Sequence, residues 1–163
     1  MRNSKMKGFT LIELIVVIAI IGVLAAILVP SMIGYVGESK LSTANSNAKL
    51  VFTNSATYST KCEVAGWPMN ASCGVATWTS LKKGAGDSAE TVSSPTAQPA
   101  NAQLTAALKI LMGSTSDSAG GYAATISAAG APTKTAWAKT DGDSYKGNYP
   151  KESTAKNTPL LAE

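Results

Sequence analysis

Residues 7–30 read Lys7-Gly8-Phe9-Thr10-Leu11-Ile12-Glu13-Leu14-Ile15-Val16-Val17-Ile18-Ala19-Ile20-Ile21-Gly22-Val23-Leu24-Ala25-Ala26-Ile27-Leu28-Val29-Pro30. From Leu14 to Ile33 there are 20 residues without a charge. At 1.5 Å per helical residue they span about 30 Å, the thickness of a bilayer's hydrocarbon core. Arg2, Lys5 and Lys7 precede the run, and positive flanks keep that end in the cytoplasm, which puts the rest of the chain outside. A secretory signal places a small-residue cleavage site after its apolar stretch. Here Ala25-Ala26 lie inside the run and no such site follows, so composition alone gives a single-span anchor.

Glu13 sits at the edge of this run. A carboxylate there costs roughly 2–4 kcal/mol unless it finds a partner, and a plain anchor has no need of it. Gly22 and Pro30 lie within the same run, and in a helix interior they cost about 1 and 3 kcal/mol respectively. Membrane helices tolerate both residues. They also bracket a weak segment that can unwind or stretch.

The string Lys-Gly-Phe-Thr-Leu-Ile-Glu-Leu over residues 7–14 and the apolar run behind it resemble the class III signal of type IV pilins and the related pseudopilins. The likeness covers about residues 5–33. It implies that a prepilin peptidase cuts after Gly8, so that residues 1–8 are a leader, and that the new amine of Phe9 is methylated. It implies further that Glu13 is the assembly glutamate. A free α-amine has a pKa near 7.7–8.0 and is mostly cationic. The amine of one subunit would then neutralise Glu13 of its neighbour in a helical homopolymer. Residues 9–33 would be the membrane and assembly segment, and 34–163 the exported head. The implied partners are other copies of the chain, the peptidase, an inner-membrane assembly platform and, before assembly, the membrane. The implied location is a single-pass membrane protein that becomes an extracellular filament, serving motility, adhesion or DNA uptake. A type II secretion pseudopilin and an uncleaved surface anchor are the alternatives.

Beyond Pro30 the pattern turns amphipathic. Leu41, Ala44, Ala48, Val51, Ser55 and Tyr58 recur at helical spacing, so one helix is expected from near Thr10 to near Ser59. Its small-residue stripe suits close packing of a sheet. Residues 75–81 suggest a short strand or helical turn. Residues 102–112 suggest a second helix, capped by Asn101 and ended by Gly113. Strands are expected over 121–128 and 134–140 with a turn at Ala131-Pro132. Asp141-Gly142 predicts another turn before a third strand at 143–149. The polar tail from Pro150 is expected on the surface. The fold class is α+β: a long N-terminal helix, apolar in its first half, packed in its second half on a small antiparallel sheet.

The rest of the composition excludes more than it assigns. Histidine is absent and only 2 cysteines occur among the 163 residues, which removes His-based triads and most zinc sites. Asp87, Glu90, Asp117, Asp141, Asp143 and Glu152 form no catalytic motif, and no enzyme, cofactor or metal is expected. Of 14 basic residues three precede Gly8, leaving 11 against 10 acidic ones. That balance gives no basic stripe for nucleic acid. Cys62 and Cys73 fall in the exported part, where disulfides persist, and are expected to be bridged. Asp141-Gly142-Asp143 resembles the start of a calcium loop but reads better as a turn. Asn70-Ala71-Ser72 matches a glycosylation sequon by pattern. Trp67, Trp78 and Trp137 are expected mainly as core anchors.

Overall fold

The computed structural model describes residues 8–83, 98–113 and 119–161. Residues 1–7 and Asp87, Glu90 and Asp117 lie outside the described residues. Helix α1 runs Leu11–Val64, followed by a 3-10 turn at Ala71–Cys73, β1 (Val75–Ser80), α2 (Asn101–Leu111), β2 (Gly121–Ile126), β3 (Pro132–Ala138) and β4 (Lys146–Tyr149). Two compact units divide the chain, Met1–Glu38 and Ser39–Glu163.

In the first unit every apolar side chain from Leu11 to Ile33 is exposed, Ile20 at 56 % and Ile27 at 70 %. A helix that is apolar all round and uncovered by its own chain needs lipid or another protein around it. The helix is long and apolar enough to cross a membrane. It runs on through Pro30, whose missing N–H leaves the Ala26 carbonyl without its usual donor. The Ser31 hydroxyl turns back to the Leu28 carbonyl at 3.0 Å.

In the second unit the strands form an antiparallel meander in the order β1-β2-β3-β4. Ala44, Ala48, Val51, Ser55 and Tyr58 of α1 are all buried, as the helical spacing predicts, and Leu41 is half-buried. The small stripe permits very close contact. A Cβ at Gly147 of β4 would collide with the Ala44 backbone, so only glycine fits there. The Thr135 hydroxyl of β3 donates to the Ala48 carbonyl at 2.8 Å. The core is completed by Leu81, Leu104, Leu108, Tyr122 and Ile126. Trp78 and Trp137 lie against Gly121 and Gly120, where any side chain would collide with the indoles, while Trp67 stays 42 % exposed.

Several boundaries differ from the expected ones. Helix α1 continues past Ser59 to Val64 because its end is closed further on. Gly66 (φ 83°) takes the left-handed position, its N–H donates to Glu63, and the Trp67 N–H donates to Cys62, a Schellman closure. The turn between β2 and β3 spans Ser127 to Ala131, with the Ser127 N–H donating to the Ala131 carbonyl at 2.8 Å. Pro132 therefore opens β3 rather than sitting in the turn; the first position of a strand tolerates a missing donor. β4 is shorter than 143–149 because the Asp143 carboxylate accepts the Tyr145 N–H at 3.0 Å and holds that segment as a turn. Helix α2 is capped at Ala100 rather than Asn101: the Gln103 side chain folds back to accept the Ala100 N–H at 2.9 Å. Its C-cap is Met112, one residue before Gly113.

The tail is not simply surface. Ser153 is buried, and its N–H and carbonyl both bond the Asn45 side chain of α1, at 3.1 and 2.9 Å. Asn45 Oδ1 also accepts the Asn148 N–H at 3.2 Å. The buried Asn148 amide donates to Ser153 Oγ and the Pro159 carbonyl and accepts the Leu161 N–H. Two asparagines thus tie helix, β4 and tail together.

The expected Cys62–Cys73 bridge is absent. Both cysteines are free and buried. Each thiol has another neighbour: the Cys73 sulfhydryl donates to the Pro99 carbonyl at 3.0 Å, and Cys62 meets the Tyr58 hydroxyl. Burial pushes the Cys62 thiol up from its ordinary range. Burial does the same to Tyr58, with Cys62 adding to it. Buried, neutral thiols behave as small hydrophobes.

Candidate functional site: the start of the N-terminal helix

Gly8 and Phe9 precede the helix, which starts at Leu11, and Glu13 lies in its first turn. Glu13 stands three residues after Thr10, at the third helical position. The Glu13 carboxylate accepts the Thr10 N–H and the Thr10 hydroxyl, each at 2.8 Å. In return, the Glu13 N–H donates to Thr10 Oγ1 at 3.3 Å. This reciprocal capping box satisfies donors that the helix start would otherwise leave open. The pattern Thr10-Leu-Ile-Glu13 is legible in the sequence, and it corrects the view that a plain anchor has no use for Glu13.

Gly8 and Phe9 sit outside the helix, and Phe9 is 88 % exposed. A Cβ on Gly8 would meet nothing within 4 Å, so the chain's own packing does not demand glycine there. The same is true of Gly22 and Gly34.

The N-terminal segment matches the model of the prokaryotic N-terminal methylation motif over residues 3–29. The same segment is similar to the N-termini of type IV major pilins and fimbrial proteins. The type IV major pilin protein PilA of Myxococcus xanthus is 51 % identical over 51 residues, which cover 31 % of this chain and 23 % of the relative. The fimbrial protein EcpC of Eikenella corrodens is 57 % identical over 44 residues, 27 % of this chain and 29 % of the relative. A fimbrial protein of Neisseria meningitidis is 41 % identical over 81 residues, 49 % of this chain and 46 % of the relative. The chain thus spans less than half the length of these relatives. No solved structure matches it. The described residues of this chain form an α+β architecture, a long N-terminal helix and a four-stranded antiparallel sheet.

The remaining candidates have local roles. Asn70 Oδ1 accepts both the N–H and the hydroxyl of Ser72, at 2.9 and 2.5 Å, so the sequon asparagine caps the 3-10 turn. The Asp143 carboxylate is occupied by its own turn, and Asp141 lies exposed beside it. Among the described residues no three potential metal-ligating side chains cluster. The Asn45–Asn148 tie escaped sequence reasoning. Its one signal was an asparagine beside Ala44 on an otherwise apolar helix face.

Proposed function

We propose that the chain is a prepilin, cut after Gly8, N-methylated at Phe9 and polymerised into a type IV pilus-like filament through α1. In this reading residues 1–8 are the leader, 9–33 the membrane and assembly segment, and 34–163 the exported head. The prepilin peptidase and an inner-membrane assembly platform are its partners on the way out, and other copies of itself are its partners in the filament. Motility, adhesion and DNA uptake are the roles open to such a filament. The carrying observation is an uncovered apolar segment, Leu11–Ile33 of α1, whose one acid stands five residues after a glycine that the described packing does not need. Removing the leader deletes three positive charges and creates an amine at Phe9. Docking that amine on a neighbour's Glu13 would relieve both desolvated charges. Gly22 and Pro30 are the proposed weak points where the helix yields on assembly.

One observation favours the uncleaved anchor instead. The capping box gives Glu13 a use within a single chain. The substitution Glu13→Gln separates the two readings, because glutamine keeps the cap and removes the charge. The expected outcome is membrane insertion with no filaments for both Glu13→Gln and Glu13→Ala. Normal fibres from Glu13→Gln, seen by electron microscopy, would reduce Glu13 to a helix cap. Mass analysis of the exported protein is expected to find methylated Phe9 at its N-terminus; an intact Met1 would favour the anchor.

A further inference from the structure

The head carries a pocket of about 290 Å³ lined by Lys40, Thr43, Trp137, Lys139, Asp143 and Tyr145. Lys40 Nζ lies 5.6 Å from the Tyr145 ring centroid, and Lys156 Nζ lies 5.8 Å from it. Among the described residues both lysines thus face an aromatic ring rather than a carboxylate. Asp143, the carboxylate in the lining, accepts the Tyr145 N–H. Lys40 and Lys139 thus line the pocket with half-buried Tyr145 and Trp137 and one carboxylate, already hydrogen-bonded, while the ammonium of Lys156 lies over the same Tyr145 ring. This combination suits a singly charged phosphate ester whose organic part lies on the rings.

Chain length narrows the source. Lys40 stands seven positions beyond Ile33, the end of the uncharged run. Helical chain of that length covers about 10 Å. The headgroup layer adds roughly 5–8 Å on each side of the hydrocarbon core, and a lysine reaches back along its own stem. Tyrosine, tryptophan and lysine are also the residues that settle at a membrane–water interface.

We propose that this pocket takes the phosphate of an anionic phospholipid headgroup in the outer leaflet while the subunit is still in the membrane. It would hold the head at the surface before extraction, and extraction would break that contact. The proposal rests on residues 14–33 spanning the bilayer, as the proposed function requires.

The test uses the full chain labelled with 5-fluorotryptophan in lipid nanodiscs, with the Trp137 resonance assigned through Trp137→Phe. Replacing phosphatidylcholine with phosphatidylglycerol is expected to move the Trp137 line. The double variant Lys40→Gln/Lys156→Gln should lose at least half of that shift. The charge-matched Lys49→Gln/Lys61→Gln, elsewhere on α1, should keep it. An unmoved line in phosphatidylglycerol discs overturns the proposal, as does equal loss in both double variants. A line moved by dissolved glycerol 3-phosphate but not by phosphatidylglycerol overturns the lipid source. Failure of the chain to enter discs of either lipid overturns the membrane-spanning reading instead, and takes away the ground on which the proposal stands.

Discussion

The two ends of α1 solve the same problem in opposite ways. From Leu11 to Ile33 the apolar side chains of the helix are exposed, with none of the described residues covering them. From Ala44 to Cys62 it shows one narrow buried stripe, and threonine, lysine, serine and asparagine fill much of the rest. The first end is stabilised only by something outside the chain. The second is held by a sheet the chain supplies itself. A substitution in the first region should therefore alter assembly and leave the head's stability alone, and one in the second should do the reverse.

The sharpest contrast is between two glycines. Gly147→Val puts atoms where the Ala44 backbone already lies, and overpacking against rigid main chain is expected to cost about 3 kcal/mol or more. Gly22→Ala meets nothing within 4 Å and should leave the head's denaturant midpoint unchanged. Equal midpoints for the two variants would break the division between the regions.

Alkaline pH probes the head alone. Burial pushes Tyr122 up to about 12, partly offset by its hydrogen bond with Thr105; its ordinary value is near 10. The unfolded chain then loses this proton before the folded one does. The stability contributed is fully present below pH 10 and lost as the pH rises from 10 towards 12, about 2–3 kcal/mol for a two-unit shift. Head unfolding followed by near-ultraviolet circular dichroism should show this loss, and Tyr122→Phe should reduce it, leaving the part contributed by Tyr58 and Cys62, which burial also pushes up.

Asn148→Ala is expected to cost about 2 kcal/mol, because it strands buried partners on Ser153, Pro159 and Leu161. Proteolysis should then attack the tail before the rest of the head. The smallest effect has the opposite sign. Ser55 Oγ is buried with no partner, so Ser55→Ala should raise stability by about 1 kcal/mol, read as a higher denaturant midpoint.

The legible parts of the molecule share one property: their information is local. The methylation motif, the apolar run and the stripe from Leu41 to Tyr58 each repeat within a few residues, and their helical and membrane meaning follows from spacing alone. The turn at Asp141-Gly142 was readable for the same reason. The capping box was readable too, and Thr10 was passed over only because Glu13 was weighed by its charge alone. Strand ends were less legible, since Pro132 and Asp143 acquire their places from the partner strand and from a side-chain bond. The cysteines misled because their count and exported position carry no geometry, and here Pro99 and Tyr58 are their partners.

By itself, the sequence determined an apolar-to-amphipathic helix, a methylation motif at its start and an acid at the edge of the apolar run, because each depends on neighbours one turn away. The tertiary structure decided which glycine the sheet needs against α1, how Asn45 and Asn148 hold the tail, and which lysines gather around Tyr145. Those depend on residues separated by about a hundred positions, brought together only when burial of the head's apolar faces outweighs the chain entropy lost in closing such loops.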